Sequence, residues 1–375
     1  MYWRLSSFYL FYFAALGALI PYWGVYLKSI GYDAQAIGEL VAVLMATKVI
    51  APNIWGWLAD RSPSRMAVVR SASFIAALGF SLIFFGQGYG WLMLVMILFS
   101  FFWNAALPQF EAVTMSHLDG DTHSYSVIRL WGSVGFVVAV VVLGEVIGRF
   151  DADILPVVVL AMLALIGVSS LFVPDARQVV DSEPKVHFGE VMRRPGVIAL
   201  LLVCFLMQLS HGPYYTFYSI YLEEHGYSHG VIGVLWGVGV IAEIMVFIWM
   251  SRLVRRFGLR GLLILSLLAA CLRWLLIAWF VDSPVIITLA QLLHAASFGI
   301  YHAVAITLIH QRFTGRYQGM GQALYSSLSF GAGGAVGSLY SGYLWDTAGP
   351  AVTFSISALA CLVAYWVVWR YLRDA

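Results

Sequence analysis

The sequence predicts an all-α membrane protein of twelve transmembrane helices in two parallel six-helix bundles, and three observations predict it. The first is composition: of 375 residues, 61% are hydrophobic and 11% charged, against about 25% charged in an ordinary soluble domain. The second is a regular succession of long apolar stretches. The third is a short segment that occurs twice. A chain this apolar has lipid, not water, as its solvent.

The apolar stretches cover residues 4–27, 34–59, 66–87, 91–116, 125–149, 153–173, 196–222, 228–252, 259–281, 284–309, 317–345 and 349–371. Each reaches about 20 residues, the length a helix needs to cross roughly 30 Å of hydrocarbon. The first follows Arg4 as a signal peptide would, but it ends in one copy of the repeat, so it reads as a retained span. With both termini in the cytoplasm, 16 of the 21 Lys and Arg residues fall on that side. Lys28 and Arg149 fall outside, and Lys48, Arg129 and Arg273 within spans. That bias is the positive-inside signature. The polar stretch 175–195 then becomes a cytoplasmic linker between bundles at 1–174 and 196–375.

The repeat pairs "YLKSIGYDAQAIG" (26–38) with "YLEEHGYSHGVIG" (221–233) at an offset of 195. It places the external turn after span 1 opposite that after span 7. Six helices per half make the halves parallel, related by an axis along the membrane normal, an arrangement suited to alternating access. Gly17 and Gly212 also correspond, followed by Pro21 and Pro213. Spans 1 and 7 are therefore expected to be interrupted near mid-membrane, either at a binding site or as simple kinks. Gly144, Gly148, Gly333 and Gly337 read as close helix packing.

What the sequence lacks also narrows function. A net charge of +2 without a basic run gives nucleic acid no footing. Cys204, Cys271 and Cys361 are far apart in apolar runs, which points to buried thiols and to no metal site. No phosphate-binding loop or nucleophile elbow appears, so the expectation is no enzyme, no ATP hydrolysis and no cofactor, with a proton gradient as the driving force. A receptor would need a soluble signalling domain, and no stretch reads as one.

Ionisable side chains within spans are costly and mark function. Glu111 and Arg129 lie four or five residues from the same end of spans 4 and 5, so their depths match and they can pair. Arg129 either binds substrate or snorkels; a guanidinium fork suits a carboxylate and a pair of sugar hydroxyls equally. Lys48 and Glu243 correspond at the repeat offset, about 20 Å down spans 2 and 8. An anion beside Lys48 would leave Glu243 to hold a proton or to pair with Arg129 or Arg273; a static bridge is the alternative. His211 shares a helical face with Tyr215 and Tyr218, which with Tyr22 and Tyr26 make a candidate aromatic pocket. His294 is a candidate proton relay or a neutral hydrogen-bonded histidine.

The loop "GWLADRSPSR" (56–65) matches the G-x-L-x-D-R-x-x-x-R pattern of the major facilitator superfamily through Gly56, Leu58, Asp60, Arg61 and Arg65. The chain resembles that family, and the resemblance implies that Gly56, Asp60, Arg61 and Arg65 form a gating loop; a topogenic charge cluster is the plainer reading. "NAALPQFEAV" (104–113) and "IRLWGSVGF" (128–136) resemble lactose-permease-type symporters, where such a Glu/Arg pair belongs to the substrate site. "HGPYYTFYSIYLEEHGYSHGVIGVLWGVGVIAE" (211–243), "CLRW" (271–274) and "LLHAASFGIYH" (292–302) are similar to the phenylpropionate permease family. One departure stands out. Where lactose-permease-type proteins carry a carboxylate three residues after the histidine, this chain has Ser297. Coupling therefore falls to Glu243, His294 or Glu111, with Arg273 nearby.

The resulting expectation is a monomeric secondary transporter of the inner membrane. It would import a small organic anion, such as an aromatic monocarboxylate, with protons. A sugar or nucleoside symporter and a proton-coupled drug exporter are the alternatives.

Overall fold

The structure is a computed structural model describing residues 1–175, 191–314 and 317–372. The 175–195 linker expected from sequence lies, apart from its two ends, outside the described residues. Among those residues all regular structure is helical: α1 (Tyr2–Ser29), α2 (Ala34–Arg61), α3 (Arg65–Ser81), α4 (Tyr89–His117), α5 (Thr122–Phe150), α6 (Leu155–Leu171), α7 (Pro195–Ser210), α8 (Gly212–Glu224), α9 (His229–Trp279), α10 (Pro284–Leu292), α11 (Tyr301–Arg312), α12 (Tyr317–Ser326), α13 (Gly334–Ala348) and α14 (Pro350–Tyr371).

Ten segments among the described residues are long and apolar enough to cross a membrane, two fewer than the twelve expected. One difference arises at α9, a 51-residue run that contains both expected spans 8 and 9, with Gly258 in a non-helical conformation at φ 66°. The other is the stretch from Tyr317 to Ala348, whose glycines, serines and tyrosines dilute its apolarity and whose middle, Ser327–Gly333, is a π-helix.

The twice-written segment folds into the same turn twice. After α1, Gly31 takes φ 97°, its N–H bonds Lys28 O, and Tyr32 N–H reaches Leu27 O. After α8, Gly226 takes φ 79°, its N–H bonds Glu223 O, and Tyr227 N–H reaches Leu222 O. This is the Schellman C-cap, which wants a glycine in the left-handed region. Both tyrosine hydroxyls donate to a carbonyl of a distant loop, Gln87 and Val281. The next helix starts at once in each case: Asp33 accepts from Ala36 N–H at 2.8 Å, and Ser228 from Val231 N–H at 3.4 Å. Gly-Tyr is retained because the backbone requires it, and the cap residue because α2 and α9 need one.

The expected interruption of span 1 is not found. α1 runs unbroken from Tyr2 to Ser29 with Pro21 inside. Gly17 instead serves packing, since a Cβ there would come within 2.7 Å of Phe136 O on α5. A proline removes one hydrogen bond, and a helix supported along its length by neighbours absorbs that; α1 lies along α5 and α6. Span 7 does break, at His211 between α7 and α8, with Pro213 in the first turn of α8. Gly144, Gly333 and Gly337 sit against backbone carbonyls of other segments, whereas Gly148 makes only an ordinary contact.

The chain forms two compact units. One comprises Met1–Asp181 with Ser228–Gly237, the other Ser182–Tyr227 with Val238–Ala375. In the first, α1 packs on α5 and α6, α3 on α4 and α6, and α2 on α4. In the second, α7 packs on α14 and on the π segment Ser327–Gly333, α8 on α13, and α11 on α12. A second π segment, Ala295–Ile300, joins α10 to α11. Phe298 and Phe330, one from each π segment, meet edge to face at 6.2 Å.

Candidate functional site

In the first unit, α4 and α5 bring Glu111 and Arg129 together as their matched depths require. Arg129 Nε lies 3.8 Å from Glu111 Oε1, with 30% and 33% of the two side chains exposed. At that distance and exposure the pair adds little stability, at most about 1 kcal/mol. Tyr125 OH donates to Glu111 Oε1 at 3.3 Å. The guanidinium carbon of Arg129 sits 3.8 Å from the ring centre of Phe13 and 5.6 Å from that of Tyr9. A half-open cation between aryl faces, beside a carboxylate, offers planar stacking and hydrogen-bond donors together. Sequence reading missed Tyr9, Phe13 and Tyr125; the i, i+4 spacing of Tyr9 with Phe13 and of Tyr125 with Arg129 was the available signal.

Lys48 on α2 points its ammonium at Met45 sulfur, 3.5 Å away. No carboxylate of the described residues in its unit lies in ion-pair range. Tyr22 is fully buried and donates to Val140 O at 2.7 Å, and Tyr26 is buried as well. These two tyrosines belong to the first unit, whereas His211, Tyr215 and Tyr218 belong to the second.

The loop between α2 and α3 is held by Asp60 and Arg65, 2.5 Å apart. Arg65 also donates to Gln109 Oε1 on α4 at 3.0 Å, and Gly56 lies beside that glutamine. Arg61 turns away, donating to Trp57 O and lying over its ring at 4.1 Å. The four residues are thus not one cluster: Asp60 and Arg65 pin the loop to α4, while Arg61 does not. A surface cavity lies beside this loop, lined by Trp55, Leu58 and Arg61 among others. It contains none of the charges that lie within spans.

The second unit holds a tighter polar cluster. His294 Nε2 stands 3.5 Å from Glu243 Oε2, with 8% and 17% of the side chains exposed. Glu243, expected either to hold a proton or to pair with an arginine, has this histidine beside it. Glycines make the approach possible: a Cβ on Gly299 would come within 2.9 Å of Glu243 Cγ, and one on Gly239 within 3.2 Å of Gln291 Oε1. Arg273 is fully buried. Its NH1 donates to Ser297 Oγ at 3.4 Å and its NH2 to Gln291 Oε1 at 3.2 Å, and Tyr214 OH also donates to Gln291 Oε1 at 3.0 Å. The rings of Tyr214 and Trp274 cover it at 4.1 and 4.7 Å. So the position where related symporters carry a carboxylate supplies a hydroxyl to this arginine. His211 Nδ1 lies 2.8 Å from Met207 O, and its ring stacks on Tyr215 and meets Trp274 edge-on. Tyr218 is buried against Tyr214. Among the described residues, no three His, Cys, Asp or Glu side chains converge as metal ligands.

Residues 2–356 match the MFS_1 like family, almost the whole chain. The chain belongs to that family. It is therefore a multi-pass membrane transporter of the major facilitator type, and its relatives are transporters rather than enzymes. It is 31% identical over 374 residues to a probable 3-phenylpropionic acid transporter of Escherichia coli (strain K12), covering 96% of this chain and 95% of that one. It is 26% identical to the maltose permease of Geobacillus stearothermophilus, covering 98% and 94%. The crystal structure of the nucleoside transporter NupG superposes with a TM-score of 0.86 over 100% of this chain and 99% of that chain, at 16% identity. That last likeness concerns the fold of this MFS_1 like protein alone.

Proposed function

We propose that the protein is a proton-coupled importer of a small organic anion, an aromatic monocarboxylate being the class that fits best, working by alternating access. In this reading it has twelve spans in two parallel six-helix bundles, with Gly258 separating two spans and Tyr317–Ala348 forming another. It sits in the inner membrane with both termini cytoplasmic, and it acts as a monomer.

The observation that carries the reading is Arg129, a half-open guanidinium framed by the rings of Phe13 and Tyr9. A flat aryl group with a polar end meets both a stacking face and donors there. Lys48, with a thioether as its polar neighbour, adds a positive charge that an anion would compensate. A relative 31% identical carries a phenylpropionic acid name, which supports the same class. The His294–Glu243 pair is the element that takes the proton.

A sugar or nucleoside symporter is the second reading. It is favoured by the Glu111–Arg129 fork, which suits hydroxyl pairs as well, and by the maltose permease relative. A thermal-shift screen of the purified protein against carboxylates, sugars and nucleosides separates the two. In reconstituted vesicles, Lys48→Met and Arg129→Met should each abolish saturable uptake of the stabilising acid while the protein still inserts. Uptake of a neutral sugar that survives both changes would install the second reading instead.

A further inference from the structure

A carrier of carboxylates must hold a negative charge out of water, and it does so best with a cation that no acid has already neutralised. Arg129 has Glu111 beside it. Arg273 is different. Its hydrogen-bond partners are Ser297 and Gln291, both neutral, and two aromatic rings cover it. Its Nε–H has no acceptor, and neither has the amide nitrogen of Gln291, although both side chains are fully buried. Gln291 spends its oxygen on Arg273 and Tyr214, and its NH2 has the Tyr218 hydroxyl beside it without a well-formed hydrogen bond. Buried donors without acceptors are expensive, about 1–3 kcal/mol each, and here two of them belong to side chains that touch one another.

His294, three residues after Gln291, turns its Nε2 to Glu243 while Nδ1 has no partner. In a neutral imidazole only one nitrogen carries hydrogen. With Nε2–H directed at Glu243, Nδ1 is bare; once the ring takes a proton, Nδ1 becomes a donor too. His211 cannot play this part in the same way. Its Nδ1–H is committed to Met207 O, so its Nε2 is an acceptor. The other titratable or charged groups around Arg273 and His294 are Glu243, Tyr214, Tyr215 and Tyr218. Taken together, Arg273 and Glu243 sum to zero while His294 is neutral, and to +1 once it is protonated.

We infer that the substrate's carboxylate is received in the second unit, on the Nε–H of Arg273 and the side-chain amide of Gln291, and that His294 adds its Nδ1–H when it carries a proton. Anion and proton then enter one for one: the protonated cluster carries the net charge that the carboxylate compensates and adds Nδ1–H to the donors of Arg273 and Gln291, whereas the unprotonated cluster is already neutral. This rests on the organic-anion reading above and adds to it a place for the charge and a stoichiometry. Arg129, whose charge Glu111 already answers, would add affinity without telling an acid from its amide.

The test measures binding of 3-phenylpropionate and of its primary amide to the full-length purified protein, by calorimetry in buffers of different ionisation enthalpy. The wild type should bind the acid at least about 30-fold more tightly than the amide, the scale of a desolvated charge pair, and take up one proton with it. Arg273→Gln should bring the acid-to-amide ratio close to 1. Arg129→Gln should weaken both ligands and leave the ratio standing. Should Arg273→Gln fold poorly, Arg273→Lys should keep part of the ratio and Gln291→Leu should reduce it. His294→Phe should bind the acid more weakly and with no proton uptake. A ratio that survives Arg273→Gln, or one that collapses in Arg129→Gln instead, overturns the inference while leaving an anion carrier. A wild type that binds neither acid nor amide, but binds a sugar or nucleoside, overturns the anion reading and the inference with it.

Discussion

The two halves of this chain build one turn twice and fill their interiors differently. At the turns the correspondence reaches single hydrogen bonds: Gly31 and Gly226 share a left-handed φ, Tyr32 and Tyr227 reach back to Leu27 and Leu222, and Asp33 and Ser228 cap the helix that follows. Inside, the charged side chains keep different company. The first unit has a half-open Glu111–Arg129 pair and Lys48 beside a thioether. The second has a fully buried Arg273 among neutral partners and a His294–Glu243 contact. The difference teaches which residues the backbone holds in place and which the chemistry has set free. A Schellman turn tolerates little variation, because its glycine is dictated by φ. A polar side chain in a span is dictated only by what it must meet.

The comparison can be broken most decisively at the two acids. In reconstituted vesicles Glu243→Gln should retain substrate exchange, which needs only reorientation of the loaded carrier, and lose uphill accumulation driven by a pH gradient. Glu111→Gln should lower exchange and accumulation together, because its carboxylate organises Arg129 rather than carrying the proton. Full pH-driven accumulation by Glu243→Gln would show that coupling does not depend on it and leave His294 or Glu111; loss of exchange as well would make it a structural bridge.

The depth of each charge could be read along the helix, and so the Glu111–Arg129 contact was legible from residue counting alone. Direction around the helix was not. Glu243 was open to an arginine partner, and the neighbour turned out to be His294, at the junction where α10 gives way to the π segment Ala295–Ile300. Periodicity reasoning assumes a regular helix and cannot anticipate such a segment. Gly239 and Gly299 look like ordinary span glycines in sequence, yet Gly239 lets α9 approach Gln291 and Gly299 lets the π segment approach Glu243. Pro21 misled in the opposite sense: a proline in a membrane helix announces an interruption, and α1 carries it without one.

The matched turns can be sharpened by matched substitutions. A Cβ at Gly31 or Gly226 would meet nothing within 4 Å, so Gly31→Ala and Gly226→Ala should each cost only the strain of the left-handed backbone, about 1–2 kcal/mol. Thermal melting in detergent should show equal losses. A clear inequality would mean that the turns are alike in geometry but not in load.

The smallest effect concerns the caps. Asp33→Ala and Ser228→Ala should each lower stability by about 0.5–2 kcal/mol, with Asp33→Ala the larger, since its oxygen sits closer to its N–H than that of Ser228 (2.8 against 3.4 Å). The reverse order in the same melting experiment would show that the longer contact is supported by something other than its distance.

The repeated turn also limits how the molecule can flex. A helix locked by two back-reaching hydrogen bonds, followed within two or three residues by a capped helix, leaves almost no free torsion between them. Each such turn is a stiff stretch of backbone. Any change of shape within the second unit must then be absorbed along the helices themselves. The looser i→i+5 bonding of its two π segments, which touch through Phe298 and Phe330, supplies degrees of freedom that the turn at Gly226 withholds.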